Sequence, residues 1–327
     1  MPILPQTIEF SGKVHKDQDL SAIANFEIDG KTYLAIGSDE SKQNVQLLKQ
    51  VSDQVYDVDD DLEIKLPVAE DPKDEIDIES ITFDNNSNCL YIAGSHSRKR
   101  KTVKIGDETA GINRDRLADI KSEKHRNRIF QVNLKPRTGK VKGEIEISKD
   151  LKDVLTRDPY LKAFVDIPSK ENGVDIEGLA IQADHLFLGF RGPVLRGNHV
   201  PVMVTKFDHL EDYEIRFVQL DGNGIRDMTA VKDGFLIISG PIGDAPGPYK
   251  LYFWDGTDMV YGIDRQPPMP PALISLEDIN APIGEDGSQG KAEGITVLEE
   301  TAVGYRALII YDSLKNGSPQ LWHIHKP

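Results

Sequence analysis

The chain reads as an all-β protein, a β-propeller of four-stranded antiparallel blades, and three observations predict it. A short opening motif, with Asp or Glu or Arg among small and aliphatic residues, recurs five times, starting at residues 19, 77, 175, 224 and 291. Each opening leads through a turn to a second apolar run, then through a loop rich in Gly, Ser, Asp or Arg to a third. The last unit stops after its third run, whereas a lone strand-like segment, Thr7 to Val14, precedes the first. Units of about 40–50 residues carrying four antiparallel strands are the pattern of propeller blades. A large β-sandwich is the plainer all-β alternative, and the repeated opening argues against it.

The elements follow in order. The first unit opens with DLSAIANFEI (Asp19 to Ile28), turns at Asp29-Gly30, and continues through TYLAIGSDES and NVQLLKQ. The second opens with DIESITF (Asp77 to Phe83), turns at Asn85-Asn86, and continues through CLYIAGSHS and RIFQVNL. The third opens with DIEGLAI (Asp175 to Ile181), turns at Ala183-Asp184, and continues through HLFLGFRGP and VPVMVTKFD. The fourth opens with GIRDMTAV (Gly224 to Val231), turns at Asp233-Gly234, and continues through GFLIISGPIG and YKLYFWDG. The fifth is AEGITVL (Ala292 to Leu298), ALIIYDS and QLWHIHK. Such runs of Ile, Leu, Val, Tyr and Phe between turn residues are strands. Three insertions interrupt a single domain over 1–327: a charged stretch at 97–126, a segment at 150–173 with apolar residues at near-helical spacing, and a Pro- and Gly-rich stretch at 264–290. Five blades are countable, and a sixth would have to lie within an insertion. Thr7 to Val14 is expected to supply the outer strand of the last blade and close the ring, which removes open edges.

Composition narrows function. The chain carries a formal charge of −15 over 327 residues, with a single cysteine, Cys89. No internal disulfide is possible, and nucleic acid is not the expected partner, because phosphate binding rests on clustered positive charge. MPILPQTIEF lacks the basic and apolar regions of a secretory leader, and no apolar run approaches a membrane span. A cytoplasmic protein without membrane partners is the expectation; oligomeric state is not legible.

Propeller geometry turns the repeats into a site. The start of each inner strand and the loop after each second strand lie on the same face of the disc. That face gathers Asp77, Glu79, Asp175, Glu177, Arg226, Asp227 and Glu293 with the loop residues Asp39, Glu40, His96, Arg191, Arg196, Asp244 and Asp312. Such a mouth can hold a divalent cation, an anionic ligand, or both. The same acids can equally staple neighbouring blades. Arg191, fixed between Phe190 and Gly192-Pro193, is the first candidate for a ligand contact, and a salt bridge to Glu177 is its structural alternative. Ligand contacts are expected at Arg191, Arg196, Asp39, Arg226, Asp227, Asp244 and Asp312. The partner is a small anionic ligand or a protein, bound without turnover. The second reading is a metal-assisted phosphoesterase or esterase. It places calcium on Glu79, Glu177 and Glu293, since oxygen-only ligands suit hard cations, with His96 as base and Arg191 as anion clamp. His323 and His325 lie two apart on a middle strand. The run YDVDDDLE lacks the Gly and final Glu of an EF-hand loop. Between Arg98 and Arg128 stand eleven Lys or Arg against five acids, an excursion in which INRDRLADIKSEKHRNR is expected to form a short helix.

The strings GSHS-RKRK, DIEGLAI…FLGFRGPVLRG, GIRDMTA…FLIISGP…YKLYFWDG and AEGIT…LIIYDS resemble a bacterial family catalogued as a domain of unknown function, number 3616. The resemblance runs from about Asp19 to the C-terminus, and GFRGPVLRG is its most specific part. More distantly, the E-G-[IL] openings are similar to those of phytase-like and esterase-like propellers, some of which hold calcium in an acidic channel. They map to Glu177-Gly178-Leu179 and Glu293-Gly294-Ile295, with Glu79-Ser80-Ile81 a near variant. The fourth unit has Arg226-Asp227-Met228 and the first Ser21-Ala22-Ile23, so the acidic ring implied by the resemblance is incomplete.

Overall fold

The structure, a computed structural model, describes residues 4–41, 43–68 and 76–327; the first three residues of the amino-terminal segment lie outside it. The repeats fold as five antiparallel blades. Blade I comprises Leu20–Ile28, Lys31–Ser38, Asn44–Ser52 and Val55–Val58. Blade II comprises Ile78–Asp84, Cys89–Gly94, Ile129–Asn133 and Glu146–Ile147. Blade III is Asp175–Gln182, His185–Gly192, His199–Lys206 and His209–Gln219. Blade IV is Gly224–Val231, Gly234–Gly240, Tyr249–Trp254 and Leu273–Ile279. Blade V is Lys291–Glu300, Gly304–Asp312 and Gln320–His325 with Gln6–Thr7 as its outer strand. Each inner strand packs against those of the two neighbouring blades, and blade V meets blade I, so the ring is closed. Two inner hairpins turn on residues with positive φ, Asp29-Gly30 and Ala183-Asp184, as two-residue turns of that hand require.

The core is divided among the five seams. Separate buried apolar clusters fill the junctions of blades I and II, II and III, III and IV, IV and V, and V and I. The glycine of the E-G-[IL] opening belongs to this packing. A Cβ on Gly178 would stand 2.8 Å from Ile225 of the next blade, and one on Gly294 would stand 3.0 Å from Ile23. Neither position tolerates a side chain without displacing a neighbour.

One irregularity repeats five times. In every blade the pairing of the innermost strand slips by one residue at the mouth end. The residues passed over are Ser21, Glu79, Glu177, Arg226 and Glu293. A bulge sets two residues against one and re-aims the extra side chain. Here it gives the third residue of every opening motif the same place in the ring.

Three expectations are corrected. Only Gln6–Thr7 pairs with blade V; Glu9–Ser11 crosses the seam and runs parallel to Val55–Val58 of blade I. The 264–290 stretch is not wholly an insertion, since Leu273–Ile279 is the outer strand of blade IV; its mostly exposed residues lack the apolar signature of the inner strands. In the basic excursion, α-helix covers only Ala110–Ala118, capped by Thr109, and a 3-10 turn covers Lys124–Asn127, whereas Ile120–Ser122 pairs with Arg98–Arg100. The near-helical 150–173 segment contains one α-helical turn, Lys152–Leu155, and a 3-10 turn, Ser169–Glu171, with Leu151, Leu155 and Leu161 buried between blades II and III. Among the described residues no helix is long and apolar enough to cross a membrane.

Candidate ligand site at the channel mouth

The bulged positions carry one base among three acids and a serine, and the pairing follows from that. Arg226 of blade IV stands between its neighbours: Nε lies 3.0 Å from Glu177 Oε2 of blade III, and the guanidinium also pairs with Glu293 of blade V. Arg191, at the end of the second strand of blade III, pairs with Asp175 and lies 2.6 Å from Glu177 Oε1. An alternating chain results, Asp175, Arg191, Glu177, Arg226, Glu293, all of it buried. Asp77 pairs with Arg126 at the end of the basic excursion, and Arg126 reaches Glu123 at 2.8 Å. Lys291 Nζ lies 2.6 Å from Asp312. Ser21 donates to the Ile78 carbonyl at 2.5 Å, joining blades I and II.

Two acids are left over. Among the described residues Glu79 has no hydrogen-bond or ion-pair partner, although one oxygen each of Glu79, Asp175 and Glu177 lie within 4.8 Å of one another. Asp39 has a buried oxygen, Oδ1, without a partner. Burial, and then the neighbouring Asp77 and Glu177, hold the Glu79 carboxyl well above the usual range. Burial with Asp77 and Glu293 does the same to Asp39. Burial also pushes Glu177 and Glu293 up to about 7 each, although the arginines beside them pull the other way. In each case the largest cause is desolvation by burial, and neighbouring carboxylates add to it.

The mouth opens into a cavity of about 590 Å³. It gathers most of the residues expected there: Asp39, Asp77, Glu79, Asp175, Glu177, Arg191, Arg226, Asp244, Glu293 and Asp312 line it. Asp244 stands at its rim in a salt bridge with Lys170 at 2.6 Å. Four expected residues lie elsewhere. Glu40 does not line the cavity and stands 3.8 Å from Lys16 Nζ. Arg196 is exposed and does not line the cavity. Asp227 is buried below the ring as a staple, accepting from Ser80 Oγ of blade II at 2.7 Å and from the Ile295 amide of blade V at 2.8 Å. His96 is buried outside the cavity, with Nδ1 2.6 Å from the Gly94 carbonyl, and burial lowers its pKa to about 4. A base at the mouth is therefore not supplied by His96. His323 and His325 are exposed on the third strand of blade V. The sequence reading did not single out Arg126 or Lys291 as countercharges, and neither has a motif around it; the Asp175 contribution was signalled by the Asp-Ile-Glu spacing.

Comparison with solved structures returns propellers at the level of fold. An exo-β-1,3-galactanase from Clostridium thermocellum superposes with TM-score 0.51 at 9% identity, over 98% of this chain and 61% of that one. An exo-β-1,3-galactanase from Phanerochaete chrysosporium gives 0.45 at 9% identity, over 92% and 59%. A GDP-Man-dependent mannosyltransferase from Leishmania mexicana gives 0.45 at 9% identity, over 100% and 90%. The chain thus spans about three fifths of the length of the galactanases it matches. No curated protein matches it in sequence. The profile of one family, described as "Protein of unknown function (DUF3616)", matches residues 19–320, and the chain belongs to that family.

Proposed function

We propose that the protein is a ligand-binding propeller whose channel mouth takes up a divalent cation of the calcium type through Glu79, Asp175 and Glu177. The observation that carries this reading is Glu79, a bulged ring carboxylate that forms no salt bridge or hydrogen bond among the described residues. A carboxylate drawn from water beside other carboxylates must take up a proton or a cation. Three carboxylate oxygens within 4.8 Å of one another suit a hard ion that bonds oxygen at roughly 2.3–2.6 Å. Glu293, expected as the third ligand, is not among the carboxylates whose oxygens lie within 4.8 Å of one another, and Asp175 stands in its place. Arg191 and Arg226, both expected to meet an anion, are already paired with acids, which favours a cation as the first occupant.

The test is a thermal melt of the full chain in millimolar calcium and in chelator. An ion that binds the native state raises the midpoint. We expect a rise in calcium that chelator removes and that Glu79→Gln abolishes. No shift in the wild-type chain would count against the reading.

A second reading, a metal-assisted phosphoesterase or esterase, is favoured by one observation. Glu177 and Glu293, each pushed up to about 7, are carboxylic acids able to donate a proton near neutrality. Turnover of p-nitrophenyl phosphate or p-nitrophenyl acetate that disappears in Glu293→Gln would move the assignment from binding to catalysis.

A further inference from the structure

We infer that the cavity's full ligand is an organic oxyanion with an apolar body, its charged end shared between the bound cation and Lys99. This rests on the cation reading above and adds what the ion alone leaves unexplained. The cavity measures about 590 Å³. A water occupies roughly 30 Å³, so an ion with its few waters fills a small part of it. Calcium takes about six to eight oxygens, and three carboxylates leave positions that a ligand oxyanion can complete.

Lys99 supplies the second attachment. The arginines lining the cavity are all paired with acids. Lys101, Lys170 and Lys291 hold Asp119, Asp244 and Asp312. Lys99 lines the same cavity, on the Arg98–Arg100 strand of the excursion, and among the described residues it has no hydrogen-bond or ion-pair partner. A cation on Glu79 and a free ammonium on Lys99 draw the same kind of group, an oxyanion. Part of the cavity's lining is apolar. Val103 and Leu117 of the excursion, at 37% and 49% exposure, and Pro246 and Tyr249 of blade IV line the same space. Inorganic phosphate would leave these surfaces wet, whereas a ligand with an apolar body covers them.

Isothermal titration of the full chain with phenyl phosphate tests this, with calcium and then chelator, beside inorganic phosphate and Lys99→Ala. We expect phenyl phosphate to bind in calcium and not in chelator. Lys99→Ala should weaken it about tenfold, roughly the loss of one charge-assisted hydrogen bond. The same variant, whose lysine is exposed, should keep the calcium-induced rise in melting temperature. Inorganic phosphate should bind more weakly than phenyl phosphate. If calcium raises the melt but phenyl phosphate gives no heat, or binds equally in chelator or to Lys99→Ala, the oxyanion inference fails while the cation site stands. Equal binding of inorganic phosphate overturns the apolar body. Absence of the calcium shift itself overturns the cation reading and this inference with it.

Discussion

Arg226 is the one base among the five bulged positions, and it decides the charge balance of its neighbours. It serves Glu177 and Glu293 on either side, while Glu79 forms no direct ion pair among the described residues. The balance shows in pH dependence. Folded Glu177 and Glu293 hold their protons up to about 7, whereas ordinary glutamates release them near 4.5. Between those values the folded chain binds more protons than the unfolded one, so stability falls as pH rises. Their contribution is complete below the ordinary value and is lost through 7. His96 runs the other way: its folded pKa of about 4 lies below the ordinary 6.5, so its contribution is present above 6.5 and lost as pH falls toward 4. From pH 6.5 to 8 the acids act without opposition from His96, and the melting temperature should decline. Glu293→Gln should make that decline shallower, since one of the raised carboxyls is gone. Calcium should reduce it too, because cation and proton compete for the same carboxylates. A flat melting temperature over this range in the wild-type chain would show that the buried acids are not raised. Much of this balance was hidden in the sequence. The acids and arginines are readable as types converging on one face, but which acid faces which base depends on distances across blades. Arg191, expected at a ligand, is in fact held by Asp175 and Glu177.

At the scale of elements, what repeats is legible and what occurs once is not. The five inner hairpins were readable because their openings recur and their apolar runs are buried. The bulge leaves no pattern of its own, yet it explains why the third residue of each opening is the variable, chemistry-bearing one. Leu273–Ile279 was concealed by its exposure, among prolines. The amino-terminal strand was legible as a strand, but its alternation tells which side is buried and not which edge it joins. Ile8 and Phe10, each 2% exposed, insert into the cluster formed by Leu308, Ile310 and Leu321 of blade V with Leu34, Leu48 and Tyr56 of blade I. Phe10 meets Tyr56 edge to face with centroids 6.3 Å apart. Its side chain should therefore outweigh the two-residue pairing with blade V. Phe10→Ala is expected to cost about 3–5 kcal/mol, the usual range for emptying a buried phenylalanine site. Urea unfolding measures it, and a loss below about 1 kcal/mol would show that the seam closes over the gap.

For the whole molecule the closing seam differs in kind from the other four. Blades I to V follow one another along the chain, so four seams join consecutive segments. The seam between V and I joins residues about 300 apart, as the hydrogen bond from Asn316 to the Phe10 carbonyl illustrates. Two devices hold it: direct packing of inner strands, and the amino-terminal strap bonded to blade V at Gln6–Thr7 and to blade I at Glu9–Ser11. Removing residues 1–11 takes away the strap's backbone pairing along with Ile8 and Phe10. In a linear array such a loss would fray one end and leave the rest intact, because each repeat depends only on its neighbours. In a ring each blade has two neighbours, and opening one seam exposes an apolar face on both flanking blades. The truncated chain should therefore still melt in one transition, displaced downward as a whole. Phe10 alone accounts for about 3–5 kcal/mol, and at roughly 1.5 °C per kcal/mol for a chain of 327 residues the midpoint should fall by at least about 4 °C. Calorimetry distinguishes the outcomes. A second, early transition with the main peak unmoved would mean that blade I or V frays independently. A midpoint within about 2 °C of the full chain, less than the loss of Phe10 alone implies, would mean that direct packing of the inner strands closes the ring without the strap.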